Sequence, residues 1–208
     1  MGELLENEIK KICIVDLDYT LVNVETTSHI LKSIGFQRTM MLMSPLLLLI
    51  SVMNLLLSKL FKVRVDIPKY LKLKACLRTL DETTINELAC KYVKRLLVDD
   101  RLLNKLVIKA LSQLCVDALV ILLTASISPI ANCFHSVGFT KIYSSELVYR
   151  NGRFHRLIDL HQRKHVIVKA ILRINDVAKV IVIDDSPEKE IIELSRRDQR
   201  LKIVKVTR

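Results

Sequence analysis

The chain has 208 residues, half of them hydrophobic, with 4 glycines, 4 prolines and no tryptophan. That is enough apolar material for one ordinary domain with a sizeable core, and it excludes a Gly/Ser linker, a repeat array or a low-complexity tail. The net charge of +11 suits an anionic partner, whether nucleic acid, an acidic membrane surface or a phosphorylated substrate, without choosing among them.

The opening residues, MGELLENEIKK, are mixed in charge and lack the basic start and apolar stretch of a signal peptide. Glu6 occupies the position where myristoylation of Gly2 would need Ser or Thr. Residues 11–18 read as a buried strand ending on Asp16 and Asp18, with Thr20 just beyond. From 24 to 98 there is no convincing strand and there are several helical stretches, so a helical insertion is expected over the top of the sheet. Downstream, the pattern predicts a helix over 100–114, a strand over 118–126 and a helix over 129–137. Asn151-Gly152 then signals a hairpin turn. A helix over 162–174, a strand over 177–185, a helix over 187–196 and a short strand over 201–206 complete the chain.

Continuous apolar strand runs fit parallel strands covered on both faces, and their alternation with helices predicts a doubly wound, Rossmann-like α/β core. The expected organisation is a core formed by 1–23 and 99–208, interrupted by a helical cap over 24–98. The five cysteines (Cys13, Cys76, Cys90, Cys115 and Cys133) are scattered, odd in number and form no CxxC pair. They read as small core hydrophobes in a reducing, cytoplasmic setting.

Three strands end in polar residues: Asp16, Asp18 and Thr20 on the first, Thr124 and Ser126 on the second, Asp184, Asp185 and Ser186 on the third. Taken singly, each is explained by a turn or a helix cap. Taken together they are not, because ligands of open α/β sheets bind outside the carboxyl ends of the strands. Four aspartates brought together there would repel unless a cation relieved them, and oxygen-only ligands favour Mg²⁺ over Zn²⁺.

DLDYTL, LLTAS, Lys164 opening a helix after the hairpin, and VIVIDDSPEKE resemble, in order, the four motifs of the haloacid dehalogenase superfamily. The long insertion after the first motif, and the segment ELVYRNGRFHRLI, look like the subgroup that contains phosphoserine phosphatase. Tyr19 stands where Gly or Asn is more usual, and Lys189 stands four after Asp185, where many members carry Asp; Glu188 or Glu190 are alternatives there. The resemblance implies a Mg²⁺-dependent phosphatase in which Asp16 attacks phosphorus and Asp18 is the acid and base. It assigns Thr124 and Lys164 to the phosphoryl charge, and Thr20, Ala125 and Ser126 to orientation and phosphate binding. Asp16, the Asp18 carbonyl, and Asp184 or Asp185 would hold the metal. Lys169 is a competitor for the role of Lys164.

The segment 40–57 is the most hydrophobic part of the chain. A single membrane crossing there would separate Asp16 from Thr124, which must share one site. Three settings remain open for it: the core of the cap, a homodimer interface, or a membrane surface. Lys59, Lys62, Arg64, Lys69, Lys72, Lys74 and Arg78 follow it, a pattern that fits peripheral contact with anionic lipid through 40–78 as well as a solvated basic face. A greasy, basic cap suggests a lipid-like phosphate as substrate. A small metabolite such as phosphoserine, or a non-catalytic protein that binds lipid or a partner through its cap, are the alternatives.

His161 and His165 lack a third zinc ligand and read as a solvated helix start. Aromatics are 5% of residues and do not interleave with the basic run, so nucleic acid is not the expected partner.

Overall fold

The computed structural model describes residues 11–36, 45–46, 48–50, 67–78, 80–174 and 177–207. Its strands are β1 (Lys11–Val15), β2 (Leu119–Ile127), β3 (Lys141–Arg150), β4 (Arg153–Ile158), β5 (Lys179–Asp184) and β6 (Leu201–Lys205). They form one six-stranded sheet in the order β4-β3-β2-β1-β5-β6. All neighbours are parallel except β3 and β4. The sheet is therefore the mostly parallel, doubly wound one expected from the apolar runs.

Successive residues of β1 serve opposite cores, as period-two alternation requires. Cys13 and Val15 pack in one, Ile12 and Ile14 in the other. The second core is closed by Val168, Ile171 and Leu172 of α6 (Lys164–Leu172) and by Ile191 of α7 (Lys189–Arg197). The first is closed by α4 (Lys105–Leu114), α5 (Ser128–Asn132) and the insertion.

Every described element between β1 and β2 other than α4 belongs to the insertion and is helical: α1 (Thr26–Leu31), a π-helical turn (Lys32–Phe36), residues 45–46 and 48–50, α2 (Ile67–Leu77) and α3 (Glu82–Val98). In α3, Asp81 caps the start by accepting from Thr84 N at 2.7 Å, and Ile85, Ala89, Tyr92, Val93 and Leu96 form a buried stripe at helical spacing. That stripe joins the same apolar cluster as Val15 and Leu122, so the insertion extends one core layer as well as lying beside the strand ends.

Several boundaries move for identifiable reasons. The first strand stops at Val15 rather than at Asp18, because Leu21 N and Val22 N fold back onto the Asp16 and Leu17 carbonyls. The helix expected from 100 begins at Lys105, where Asn104 Oδ1 accepts from Leu106 N and Val107 N. The helix over 129–137 splits into α5 and a 3₁₀ turn (Cys133–Val137), which stops at Gly138 with φ near +100°. β3 is longer than the hairpin signal suggested. Its first half pairs parallel with β2 and its second half antiparallel with β4, across a turn in which Asn151 and Gly152 both have positive φ.

Four of the five cysteines are paired, Cys13 with Cys115 and Cys90 with Cys133, which corrects the reading of all five as free core thiols. Their separations of 102 and 43 residues hide this proximity in the sequence. Cys76 alone among the described cysteines is free, and it is buried.

Among the described residues no helix is long and apolar enough to cross a membrane. The hydrophobic segment 40–57 lies outside the described residues except at 45–46 and 48–50, and Lys59, Lys62 and Arg64 lie outside them too. Leu46, Leu48 and Leu49 are exposed.

Candidate active site

β1 lies between β2 and β5, and the chain leaves it in opposite directions on its two sides, which makes the carboxyl ends of β1 and β5 a topological switch point. Asp16 follows β1 directly, and its N–H donates to Ile183 O of β5 at 3.0 Å. Asp184 ends β5. Both carboxylates are buried, and Lys164 Nζ sits between them, 2.7 Å from Asp16 Oδ1 and 3.3 Å from Asp184 Oδ2. Carboxylate oxygens of Asp16, Asp184 and Asp185 lie within 4.8 Å of one another, the spacing of a group that can share one cation. An all-oxygen set suits a hard divalent ion such as Mg²⁺.

Burial pushes the Asp16 carboxyl up to about 7, aided by Asp184 and opposed by Lys164. Burial alone would lower Lys164, but Asp16 and Asp184 outweigh it and hold the ammonium above its ordinary range. Burial also raises Asp18, to about 6, against two hydrogen bonds from Thr26. Two neighbouring carboxyls that resist ionisation, beside a lysine that stays charged, form an electrostatic centre of the kind found at functional sites.

Tyr19 has φ of 57°, the left-handed region in which Gly and Asn are at ease, which accounts for the usual preference at that position. Asp18 Oδ1 accepts from Thr26 N at 2.8 Å and from Thr26 Oγ1 at 2.6 Å.

Thr20, to which the resemblance gives an orienting role, bonds to the β5 end. Its Oγ1 accepts from Asp185 N at 2.9 Å and lies 3.4 Å from Asp185 Oδ1. Ser186 adds bonds to both aspartates of the β5 end, from its N–H to Asp184 Oδ1 and from its hydroxyl to Asp185 Oδ1.

Thr124, Ala125 and Ser126 lie where the β2–β3 ladder slips, between the pairs Leu123–Tyr143 and Ile127–Ser145. Such a bulge frees backbone and side-chain groups from the ladder beside the site. Ser126 N donates to Thr124 Oγ1 at 3.0 Å, leaving the Thr124 hydroxyl hydrogen available to another acceptor. The Ala125 carbonyl accepts from Lys69 Nζ at 2.5 Å and Ser145 Oγ at 2.9 Å. Ser126 is fully buried, with its hydroxyl 2.6 Å from Thr26 Oγ1 and 3.4 Å from Thr27 Oγ1.

Of the two candidate lysines, only Lys164 reaches the aspartates, and Lys169 is exposed on the far side of α6. α6 has no side-chain cap of its own. Glu188 supplies one from the β5–α7 loop, accepting from Lys164 N and His165 N at 3.0 Å each and meeting His165 Nδ1 at 2.9 Å. His165 is therefore tied down rather than solvated, and Glu188 is spent on holding the helix that carries Lys164. Lys189 is exposed.

Sequence reasoning missed Thr26, Lys69, Ser145 and Asp159. Lys69 was read as part of a basic surface, yet its side chain is 13% exposed and pairs with Asp159 at 2.8 Å. Lys72 also turns inward, to Ser28 Oγ and, at 3.9 Å, to Glu25. Only the fold brings these partners together, across sequence separations of up to 90 residues.

No protein-family model matches the chain, and no curated protein matches it by sequence. Solved structures do. A protein of unknown function from Bordetella pertussis Tohama I superposes with a TM-score of 0.59 at 15% identity, over 94% of this chain and 98% of that one. A HAD family hydrolase from Salmonella enterica serovar Typhi gives 0.58 at 11% identity, over 86% and 57%. A phospho-aspartyl intermediate analogue of phosphoserine phosphatase gives 0.57 at 15% identity, over 96% and 94%. At these identities the likeness is one of fold: the chain shares the fold of these proteins, and here that fold is a mostly parallel α/β sheet with a helical insertion after β1.

Proposed function

We propose that the chain is a Mg²⁺-dependent phosphomonoester hydrolase that works through an aspartyl-phosphate. The observation that carries this is Lys164 Nζ bridging Asp16 and Asp184 at the switch point, with Asp185 alongside. Asp16 is the nucleophile, and its attack breaks the bond from phosphorus to the ester oxygen. Asp18 protonates the departing oxygen, then takes a proton from the water that releases phosphate. Thr124 donates to a phosphoryl oxygen, and Lys164 neutralises charge that grows on the transferring group. Asp16, Asp184 and Asp185, with the Asp18 carbonyl, would hold Mg²⁺, which would supply further charge neutralisation. Thr20 keeps Asp185 in place.

Residues 24–98 act as the cap over this centre and select the leaving group. A small soluble phosphate ester fits best. Glu25 and Lys72 present one charge of each sign on the insertion, as an amino-acid leaving group does, so phosphoserine belongs in the first panel. The exposed Leu46, Leu48 and Leu49 favour a second reading, in which the ester is carried by a lipid.

Hydrolysis of p-nitrophenyl phosphate, phosphoserine, glycerol phosphate and a lipid phosphate, with and without Mg²⁺, tests both readings. Turnover that needs Mg²⁺ and disappears in Asp16→Asn supports the reaction. Turnover that survives Asp16→Asn contradicts it. Turnover of the soluble esters alone removes the lipid reading.

A further inference from the structure

Resting on the phosphatase reading, we propose that Thr26 is a positioning residue that fixes which oxygen of Asp18 delivers the proton, and that Ser126 holds Thr26 in that role. Both donors of Thr26 converge on Oδ1 of Asp18, its N–H at 2.8 Å and its hydroxyl at 2.6 Å. An ionised carboxylate only accepts, so the Thr26 hydroxyl hydrogen points at Asp18. The 2.6 Å contact between Thr26 and Ser126 hydroxyls must then run from Ser126 to Thr26. Thr27 completes the order by donating to Ser126 at 3.4 Å. The three hydroxyls form one directed chain, Thr27 to Ser126 to Thr26 to Asp18, with all three residues fully buried. Chains of this kind polarise one another and resist rotation.

With Oδ1 filled by two donors, the transferable proton of Asp18 sits on Oδ2, to which no described residue bonds. In the first half-reaction that proton passes from Oδ2 to the ester oxygen as the ester P–O bond breaks. In the second, attacking water returns a proton to Oδ2 as the bond between phosphorus and Asp16 breaks. Ser126 thus acts behind Asp18 and not on the phosphate, which revises the role its motif position suggests.

The test is the ratio of kcat/KM for glycerol phosphate to that for p-nitrophenyl phosphate. The alkoxide needs protonation to leave and p-nitrophenolate does not, so a misplaced proton lowers the ratio, whereas general damage lowers both constants together. Thr26→Val keeps the shape and removes the hydroxyl. It is expected to lower the ratio by at least about tenfold, part of the full effect of a general acid. Thr26→Ser should restore it to within about threefold, and Ser126→Ala should lower it in the same direction as Thr26→Val. A ratio in folded Thr26→Val within about twofold of the wild type overturns the inference. If Thr26→Val does not fold, an unchanged ratio in Ser126→Ala overturns it instead. Absence of Asp16-dependent turnover in the wild type is a different failure: it overturns the phosphatase reading, and this inference with it.

Discussion

At the residue scale, the site sets a charged lysine against two buried aspartates, with a third beside them. Lys164 is the side chain on which this arrangement turns. Lys164→Met should lower kcat/KM for p-nitrophenyl phosphate by about 10²–10³, the usual cost of losing one donor to developing charge. Lys169→Met, on the exposed side of the same helix, should stay within about twofold in the same assay. Equal losses from the two would remove Lys164 from the site. That Asp16, Asp184 and Lys164 would stand together was legible in the sequence, because the strand ends fix where the aspartates emerge. Thr26 and Glu188 were not legible in these roles. Their value lies in which atom each hydrogen bond reaches, and no spacing rule reports that.

At the element scale, α6 begins without a cap of its own, and Glu188 closes it from the β5–α7 loop. Lys164 is thereby registered against the strand that carries Asp184. Glu188→Ala should cost about 1–2 kcal/mol of stability, the range for a lost helix cap, and should lower kcat as Lys164 drifts. Denaturant melts of the variant, paired with its kinetics, check this; full activity with normal stability would contradict it. The strands were readable because apolar runs covered on both faces leave a continuous signal, as in β1 and β5. The start of α4 was not, since Asn104 caps it by contacts that composition does not announce. The pairing of β3 with β2 was hidden for a related reason: Lys141–Arg150, between β2 and β4, has mixed burial and no continuous apolar run.

At the scale of the whole molecule, two couplings make stability depend on conditions. The first is protonic. Burial raises Asp16 to about 7 and Asp18 to about 6, both above the values an unfolded chain would have. The folded protein then binds more protons than the unfolded one, so stability falls as pH rises from about 4 through about 7. The metal-free protein should melt lower near pH 8 than near pH 5, and Asp16→Asn should flatten that slope. Mg²⁺ at about ten times its dissociation constant adds about 1.4 kcal/mol, or roughly 3–6 °C, and a fixed Mg²⁺ concentration adds more at the higher pH, where the carboxylates are ionised. A melting temperature that rises with pH across this range would contradict the burial assigned to these acids.

The second coupling is covalent. Cys13–Cys115 closes a long loop within the core, and Cys90–Cys133 ties α3 of the insertion to the turn after α5. Alkylation of the denatured, unreduced protein should modify one cysteine of the five, Cys76, as counted by mass. Reduction should lower the melting temperature by at least about 5 °C, given the few kcal/mol typical of such crosslinks. Five alkylated cysteines without reduction would show that the sulfurs are neighbours and not bonded.

The most direct test of the central claim is to trap the intermediate. The protein is mixed with p-nitrophenyl phosphate and Mg²⁺, quenched in acid within the first turnover, digested and mapped by mass. The account predicts a single phosphoryl group on Asp16 in the wild type and none in Asp16→Asn. Phosphate released with no covalent intermediate, or a phosphoryl group on any other residue, would contradict it.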